Sequence, residues 1–355
     1  MDKNKLSYNP DFAIHPGKSL KDELDFLNLT SIELSQRTGL SEKHISQIIN
    51  GADPITPDTA VKLEIAIGTP ATFWSNLQKN YDLVVARIAS DKKIAKEIQK
   101  AKSFNCYLEL VSLGFVEQTK DWHEKTKNLL KFFGVGSFDY LKNTESIAFR
   151  QSSGDFNEFS LAAWLRCGEI AAVKMQVEKF DKKMVKDLIP EMRKLTTHQD
   201  GFGLKLQELC ASVGIALVYT PYFKQTKVNG SCRWIGDKAV IQLNTKGSFS
   251  DIFWFTFFHE LGHILFHGVK GEFVDYNGKA KDEKEKEADK FASDTLIPIN
   301  DYKNFLTIKP LNPLKIKSFA ESIGVSSGIV LGRMAHDGMV NWRKIARLRE
   351  RLTIN

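Results

Sequence analysis

A short segment of the sequence has residue types and a spacing that suit metal binding and the activation of water. It is the run HELGH at 259–263, within the apolar stretch FWFTFFHELGHILFHG at 253–268. On a helix, residues i and i+4 share one face, so His259 and His263 can bind one Zn²⁺ ion together. Glu260 lies beside them, where it can take a proton from a water molecule at the metal. The segment therefore predicts a zinc site with Glu260 as the general base.

A catalytic zinc ion needs a third protein ligand and an open fourth position. No further histidine at the spacing HExxHxxGxxH and no nearby cysteine follows, so the next helix, EKEKEADKFASDTLIP at 283–298, is expected to supply the ligand. Helical spacing gives this helix a buried face of Ala288, Phe291, Ala292 and Thr295. Glu287 borders that face and is predicted to be the third ligand, with Glu283 ranked second. Glu285 is expected to point further away.

Three further polar residues near the motif each have two interpretations. His267 lies one turn beyond His263 and either caps the end of the helix or supports a metal ligand from behind. Cys232, on a preceding strand, is interpreted as a small buried hydrophobic residue in preference to a fourth metal ligand. Tyr276, in the loop after the motif, either stabilises an oxyanion or anchors the loop.

The N-terminal part contains a second functional pattern, SIELSQRTGLSEKHISQIINGA at 31–52. The pattern predicts one helix, a tight turn at Gly39 and a second helix capped by Ser41. In a helix-turn-helix, the second helix enters the DNA major groove and residues at its start meet base edges. The predicted DNA-contacting residues are Ser41, Glu42, Lys43, His44, Ser46, Gln47 and Asn50. The same spacing is also compatible with a plain helical bundle.

The charge of the chain favours an acidic partner, but the N-terminal segment does not carry that charge. The net charge is +7 and the isoelectric point is about 9.0, which points to nucleic acid first. Residues 1–80, however, contain eight lysines and arginines against ten aspartates and glutamates. Counterion release from DNA would therefore add little affinity from this segment alone. Dimerisation, or basic residues elsewhere, would have to compensate.

Cysteine usage and hydropathy indicate the compartment. The four cysteines are far apart and form no CxxC pair, which favours a reducing environment and argues against a disulfide framework. No apolar run approaches the roughly 20 residues that span a bilayer, and the first residues lack the apolar core of a signal peptide. We therefore expect a cytoplasmic protein without a membrane segment.

The chain of 355 residues is too long for one ordinary domain. The patterning predicts a mainly α protein with a small α+β domain. Residues 1–80 are expected to form an all-α helix-turn-helix domain, 81–195 a helical connecting region, and 196–355 the zinc domain. The short sheet of that domain is predicted from IALVYTPY, VNGSCRWIG and KAVIQLN. One helix of the connecting region is predicted near 93–114, and NWRKIARLRERL at 341–352 is expected to be a basic tail.

The segment from His15 to Asp82 resembles the HigA-type antitoxin branch of the Xre helix-turn-helix family. The resemblance rests on HPG, ING, ITPDTA and FWSNLQKNYD. It implies a homodimeric repressor that binds a palindromic operator in double-stranded DNA and, in some members, a partner toxin. Ser31 replaces the glutamine that the family commonly has, so no phosphate contact is carried over to that position.

Residues from about 205 to 340 resemble the ImmA/IrrE family of metallopeptidases. The resemblance rests on KAVIQLN, FTFFHELGHILFH, EADKFASDTLIP and FAESIGVSSGIVLGRMAHDG. It implies a gluzincin-like site whose third ligand is the glutamate of an E-A-N-x-F-A motif. The implied ligands are His259, His263 and Glu287, with Glu260 as the base. Asp289 replaces the usual asparagine and is expected to hydrogen-bond the outer nitrogen of a ligand histidine.

Together these patterns favour a DNA-binding transcriptional regulator with a zinc metallo-endopeptidase domain that cleaves a specific regulatory protein. In that interpretation, the strand before the zinc helix aligns the substrate through main-chain hydrogen bonds. The alternative is an antitoxin or repressor that binds its operator and a toxin, with a zinc domain that acts as a sensor or binding module and does not cut. A third interpretation has the acidic helix-turn-helix dock a repressor protein instead of DNA.

Overall fold

The computed structural model describes residues 12–143, 157–198, 200–226, 228–245, 249–268, 278–308, 312–341 and 349–354. The chain divides into two compact units, Met1–Gln99 and Lys100–Asn355. The predicted connecting region is thus shared between the units, because its residues after Gln99 belong to the second one. The fold is mostly helical with one three-stranded sheet, which confirms the predicted fold class.

The first unit is a bundle of short helices followed by a long one. Its helices are α1 Pro16–Phe26, α2 Ser31–Thr38, α3 Glu42–Ile49, α4 Pro57–Ile67 and most of α5 Ala71–Ala101, whose last two residues belong to the second unit. The turn between α2 and α3 requires Gly39, which has a φ of 69° that side chains with a Cβ rarely adopt. Buried apolar residues from all five helices form the core, among them Leu34, Ile45 and Trp74.

The start of α1 fixes the position of α3. The side chain of His15 accepts a hydrogen bond from the Gly17 amide and lies edge-on against the ring of Tyr81. A Cβ atom at Gly17 would lie 1.8 Å from the carbonyl oxygen of Ile48, so only glycine allows α1 to approach the end of α3 this closely. The sequence HPG therefore sets where the second helix of the helix-turn-helix sits in its unit.

The second unit contains ten helices and three strands among the described residues. The helices are α6 Tyr107–Ser112, α7 Trp122–Phe133, α8 Glu158–Lys174, α9 Lys182–Lys194, α10 Phe202–Ala211, α11 Ser250–His267, α12 Gly278–Leu296, α13 Ile299–Thr307, α14 Pro313–Ile323 and α15 Ser327–His336. The strands are β1 Ile215–Thr220, β2 Gly230–Ile235 and β3 Lys238–Asn244. Short 3₁₀ turns lie at Phe138–Asn143 and Leu195–Thr197.

The single helix predicted near 93–114 is wrong, because α5 ends at Ala101 and α6 begins at Tyr107. Between them Phe104 is buried, and its ring packs against three other phenylalanine rings. Placing this side chain in an aromatic cluster is incompatible with a continuous helix. Helical periodicity on either side of the break concealed it in the sequence.

The sheet has the strand order β1-β3-β2, with β1 parallel and β2 antiparallel to β3. One face carries Ile241 and Leu243 into the core shared with α11, and the other carries Val240 onto Ala172 of α8. β3 is the central strand, so both of its edges are hydrogen-bonded to neighbours. The expectation that the strand directly before the zinc helix aligns a substrate is therefore wrong, since β3 has no edge left to offer.

None of the helices in the described part of the chain is long and apolar enough to cross a membrane.

The end of the predicted basic tail, residues 349–352, belongs to a segment at 349–354 that is docked on the start of α11. Arg351 forms an isolated β-bridge with Phe249, and the amide of Ser250 donates to the carbonyl of Glu350. Arg349 donates from Nε and a terminal nitrogen to Oδ1 of Asp251 at 3.1 and 2.7 Å. Both side chains of this ion pair are nearly inaccessible to solvent.

We expect Arg349→Met to destabilise the second unit by about 3–5 kcal/mol, because it leaves the Asp251 carboxylate buried without a cation. The matched control is Lys205→Met, which removes a cation from an exposed pair with Glu208. That change should cost less than about 1 kcal/mol. Urea unfolding followed by far-ultraviolet circular dichroism measures both. Equal losses for the two variants would show that the docked segment does not stabilise this unit.

Candidate metal centre and helix-turn-helix surface

The helix that carries the HELGH motif is held rigidly because it is buried on most sides. Trp254, Phe257, Phe258 and Leu261 are fully inaccessible to solvent. Helix α11 has no side-chain cap at its start; the docked C-terminal segment satisfies the Ser250 amide instead. The polar residues of α11 are therefore presented from an apolar scaffold with little freedom to move.

The two histidines of the motif point to the same place. Their Nε2 atoms lie 3.0 Å apart, and Oε2 of Glu285 lies 3.4 Å from that of His259 and 3.8 Å from that of His263. Atoms that share a tetrahedral zinc ion at 2.0–2.1 Å are separated by about 3.3 Å. The three side chains are partly buried and their ligand atoms converge. The arrangement thus offers two nitrogens and one oxygen to a single ion.

The structure places Glu285, and not Glu287, beside the histidine pair. Glu285 precedes Ala288 by three residues, so it shares the face of α12 that buries Ala288 and Ala292 against α11. Glu287 is rotated away from that face, and its Oε2 accepts from Nε2 of His267 at 2.9 Å. The sequence contained this signal, because the expected buried face extends back to Glu285. The expectation that Glu285 points further away is therefore wrong.

Glu283 is exposed and does not belong to the group of converging ligand atoms. Tyr276 lies outside the described residues. A second group of ligand-type side chains, Asp121, His123 and Glu124, lies at the start of α7. There the Asp121 carboxylate caps the helix by accepting from the amides of His123 and Glu124, which accounts for their proximity.

Carboxylates surround His259. Oδ1 of Asp289 lies 2.8 Å from its Nδ1, on the side of the ring opposite to Glu285. Burial lowers the pKa of His259, but hydrogen bonds with Asp289 and Glu285 and the nearby Glu260 carboxylate raise it to about 9. The surroundings of this ring therefore strongly favour positive charge, which a proton or a divalent cation would supply.

Glu260 is buried next to the converging atoms without being one of them. Burial raises the pKa of its carboxyl group, while His259 and His263 oppose that rise. The thiol of Cys232 lies close to the Glu260 carboxylate. Burial, followed by the charge of Glu260, keeps the pKa of this thiol well above its ordinary value. Cys232 is thus a protonated neighbour of Glu260, with its sulfur outside the group of ligand atoms.

Two glycines let neighbouring elements approach α11 from two directions. A Cβ at Gly262 would lie 2.9 Å from Cδ1 of Phe291 and 3.3 Å from Cα of Ala288, both on α12. A Cβ at Gly230, the first residue of β2, would lie 2.5 Å from Cγ2 of Thr256 and 3.3 Å from Cγ of Glu260. The absence of side chains here brings α12 within reach of the histidines and places the start of β2 beside Glu260.

A residue that the sequence reasoning missed, Arg193 of α9, holds the far end of α12. Its Nε donates to the carbonyl of Thr295 at 2.7 Å, and a terminal nitrogen donates to that of Leu296 at 2.9 Å. These are carbonyls that a helix end leaves without intrahelical partners. No local pattern could have revealed this contact, because Arg193 lies about a hundred residues earlier in the chain.

On α3, several of the residues predicted to contact DNA are used to fix the helix itself. Oγ of Ser41 accepts from the amide of His44, which caps the helix. The His44 ring hydrogen-bonds through Nδ1 to Asp53 at 3.0 Å, which ties α3 to the loop that follows it. The amide group of Asn50 donates to Oγ of Ser46 at 3.3 Å.

The remaining predicted residues form the outward face of α3. Glu42 and Lys43 are exposed at its first turn, and Gln47 is half-buried one turn later. Ile45 and Ile48 face the core instead. The helix therefore presents a polar face with one basic side chain at the end that a helix-turn-helix directs towards bases.

Comparison with known proteins finds a family match within each unit. A helix-turn-helix family model matches residues 20–74, and the model of the IrrE N-terminal-like domain of a peptidase family matches residues 210–334. An uncharacterized HTH-type transcriptional regulator of Escherichia coli, YddM, is 30% identical over 76 residues, which are 21% of this chain and 81% of that protein. Virulence-associated protein I of Dichelobacter nodosus is 37% identical over 75 residues, 21% of this chain and 69% of that protein.

Among solved structures, an addiction module antidote protein of the HigA family from Coxiella burnetii is 42% identical. The match covers 24% of this chain and 94% of that one, with a TM-score of 0.23. By the family models and the Escherichia coli regulator, the chain belongs to the Xre-type helix-turn-helix family and carries, after that domain, an IrrE N-terminal-like domain of a metallopeptidase family.

Proposed function

We propose that the protein is a cytoplasmic, DNA-binding transcriptional regulator whose second unit is a zinc-dependent endopeptidase acting on a specific regulatory protein. The observation that carries the proposal is the convergence of Nε2 of His259, Nε2 of His263 and Oε2 of Glu285, with the buried Glu260 beside them. Two histidines and a glutamate are a ligand set of catalytic zinc sites, whereas structural sites favour four closed ligands rich in cysteine.

The proposed ligands are His259, His263 and Glu285, and Glu285 takes the place that the sequence reasoning gave to Glu287. Asp289 accepts from Nδ1 of His259 and thereby fixes the orientation of that ring. When bound, the ion supplies Lewis acidity and makes water acidic enough to ionise near neutral pH. The donor set suits zinc, because imidazole and carboxylate are both ordinary zinc ligands.

Glu260 is the proposed proton carrier. Its burial raises the pKa of the carboxyl group. A raised pKa suits a group that must first accept a proton as a base and then donate it as an acid. The carboxylate takes a proton from water and delivers it to the departing amine of the substrate. A zinc domain that only sensed a ligand or bound a partner would not need a buried carboxylate at this position, so Glu260 favours the peptidase over the alternative that does not cut.

The strand proposed to align the substrate is β2. In the described part of the chain β2 pairs only with β3, so it forms one edge of the sheet. Its first residue, Gly230, lies against Glu260 and Thr256. An extended peptide that added to this edge would run past Glu260, with main-chain hydrogen bonds supplying affinity.

The DNA-binding part of the proposal uses the outward face of α3. Lys43 and Gln47 are the proposed base-contacting residues, with Glu42, Ser46 and Asn50 at the edges of this face. His44 is proposed to act through its bond to Asp53, which positions α3. Because residues 1–80 carry more acidic than basic side chains, binding to a palindromic operator as a homodimer would supply the affinity that charge does not.

The metal assignment predicts about one zinc ion per chain in the purified protein. His259→Ala and Glu285→Ala should lose the ion, because each removes a ligand atom. Glu260→Gln should keep the ion and lose cleavage of the natural target, since it removes only the base. Elemental analysis by mass spectrometry measures the metal content. If Glu285→Ala kept its zinc and Glu287→Ala lost it, the third ligand would be Glu287 and the assignment would be wrong.

The DNA assignment predicts that Lys43→Ala combined with Gln47→Ala weakens binding to the DNA upstream of the protein's own gene by about tenfold or more. Gel shifts at two salt concentrations measure this loss and the smaller salt dependence that follows from removing one lysine. Lys205→Ala, a loss of one lysine on the second unit, is the control and should bind like the wild type. Unchanged binding of the double variant would reject the face of α3 as the contact surface.

A further inference from the structure

The ring of His263 has a second polar contact that the metal site does not explain. Its Nε2 faces His259 and Glu285, and its Nδ1 lies 3.0 Å from Nδ1 of His267. His267 is buried at the last residue of α11, with 5% of its side chain exposed. Its other nitrogen, Nε2, lies 2.9 Å from Oε2 of Glu287. Three side chains therefore form an unbroken chain from the site to α12.

The hydrogen positions in this chain follow from the ligand role of His263. A neutral imidazole that offers the lone pair of Nε2 to a metal carries its hydrogen on Nδ1. Among the residues that the structure describes, the acceptor of that hydrogen is Nδ1 of His267, so the hydrogen of a neutral His267 sits on Nε2. From there it is donated to the Glu287 carboxylate. Each ring nitrogen of His263 and His267 then has one partner. All the hydrogen bonds run in the same direction, from His263 through His267 to Glu287.

The two ligand histidines are thus supported differently. His259 donates directly to the carboxylate of Asp289 at 2.8 Å. Nδ1 of His263 has no direct contact of this kind within the described ranges: it hydrogen-bonds to His267, and His267 in turn hydrogen-bonds to the Glu287 carboxylate. Hydrogen-bond partners of this kind fix the orientation of a ligand ring and increase its basicity.

We propose that His267 and Glu287 form a positioning relay that orients His263 for metal binding, with His267 as the essential acceptor and Glu287 as the group that sets its tautomer. The proposal rests on the metal site put forward above. It gives a role to two residues that are not ligands in that site. It also predicts that Glu287 affects metal binding, whereas Glu283, an exposed carboxylate one turn earlier on α12, does not. It also accounts for the burial of a third histidine in an otherwise apolar helix end.

The test is the affinity of the full-length protein for Zn²⁺, measured by competition with a chelator. Removal of such a supporting partner typically weakens metal binding by about 10–100-fold. His267→Phe keeps a ring but removes the acceptor, so we expect a loss in that range. His267→Asn places an amide oxygen near the position of Nδ1 and should restore most of the affinity. If His267 only filled space, His267→Phe would bind zinc more tightly than His267→Asn, because phenylalanine fills the site better.

A second comparison changes only exposed residues, Glu287 and Glu283 on α12. Glu287→Ala should weaken zinc binding several-fold, since it removes the acceptor of His267, and Glu287→Gln should retain an oxygen and most of the affinity. Glu283→Ala is the matched control, because it removes the same charge from the same helix. The absorption spectrum of the Co²⁺-substituted protein reports whether the ligand geometry changes along with the affinity. Circular dichroism of the metal-free variants checks that each one folds.

The outcomes are distinguishable. A wild-type protein that binds no zinc would overturn the metal site itself. Zinc binding by the wild type with equal affinities for Glu287→Ala and Glu283→Ala would overturn the relay and leave the metal site standing. The same holds if His267→Asn binds zinc as weakly as His267→Phe, because the acceptor would then not be what His267 contributes.

Discussion

The second unit depends on the pairing of α11 with α12 across Gly262. α11 is an apolar core helix with three histidines and a glutamate, and buried polar groups without partners cost about 1–3 kcal/mol each. α12 supplies those partners, because Glu285, Glu287 and Asp289 all reach the histidines of α11. The helices come this close because position 262 has no side chain. Because Gly262 has no Cβ, the carboxylates of α12 come within hydrogen-bonding distance of the histidines of α11, and together they form one site.

The other elements of the unit hold these two helices in place. The docked C-terminal segment pairs Arg349 with Asp251 at the start of α11, and Arg193 satisfies the last carbonyls of α12. On the opposite side, β2 brings Gly230 against Glu260. The proposed base, the proposed ligands and the edge of the sheet are therefore fixed by contacts at both ends of a short stretch of helix. Such rigidity is what a site that must bind a metal in one geometry requires.

Local sequence patterns predicted most of the secondary structure and the histidine pair. They did not predict contacts between residues that are distant in the chain. The spacing of His259 and His263 placed their side chains together, and the helix-turn-helix followed from Gly39 and the caps on either side of it. The order of Glu285 and Glu287 was not readable from the pattern, because the two residues are about 200° apart on the helix and border the expected buried face from opposite sides, so a small shift of that face decides which carboxylate is ranked first. The central position of β3 and the docking of Arg349 depend on partners distant in the chain, which no local pattern encodes.

X-ray absorption at the zinc edge of the zinc-loaded protein tests the central claim most directly, because it reports the atoms around the ion without requiring a substrate. The account predicts only nitrogen and oxygen neighbours at about 2.0–2.2 Å, with the scattering signature of two imidazole rings. A sulfur neighbour at about 2.3 Å would place Cys232 on the metal and contradict the assignment of His259, His263 and Glu285.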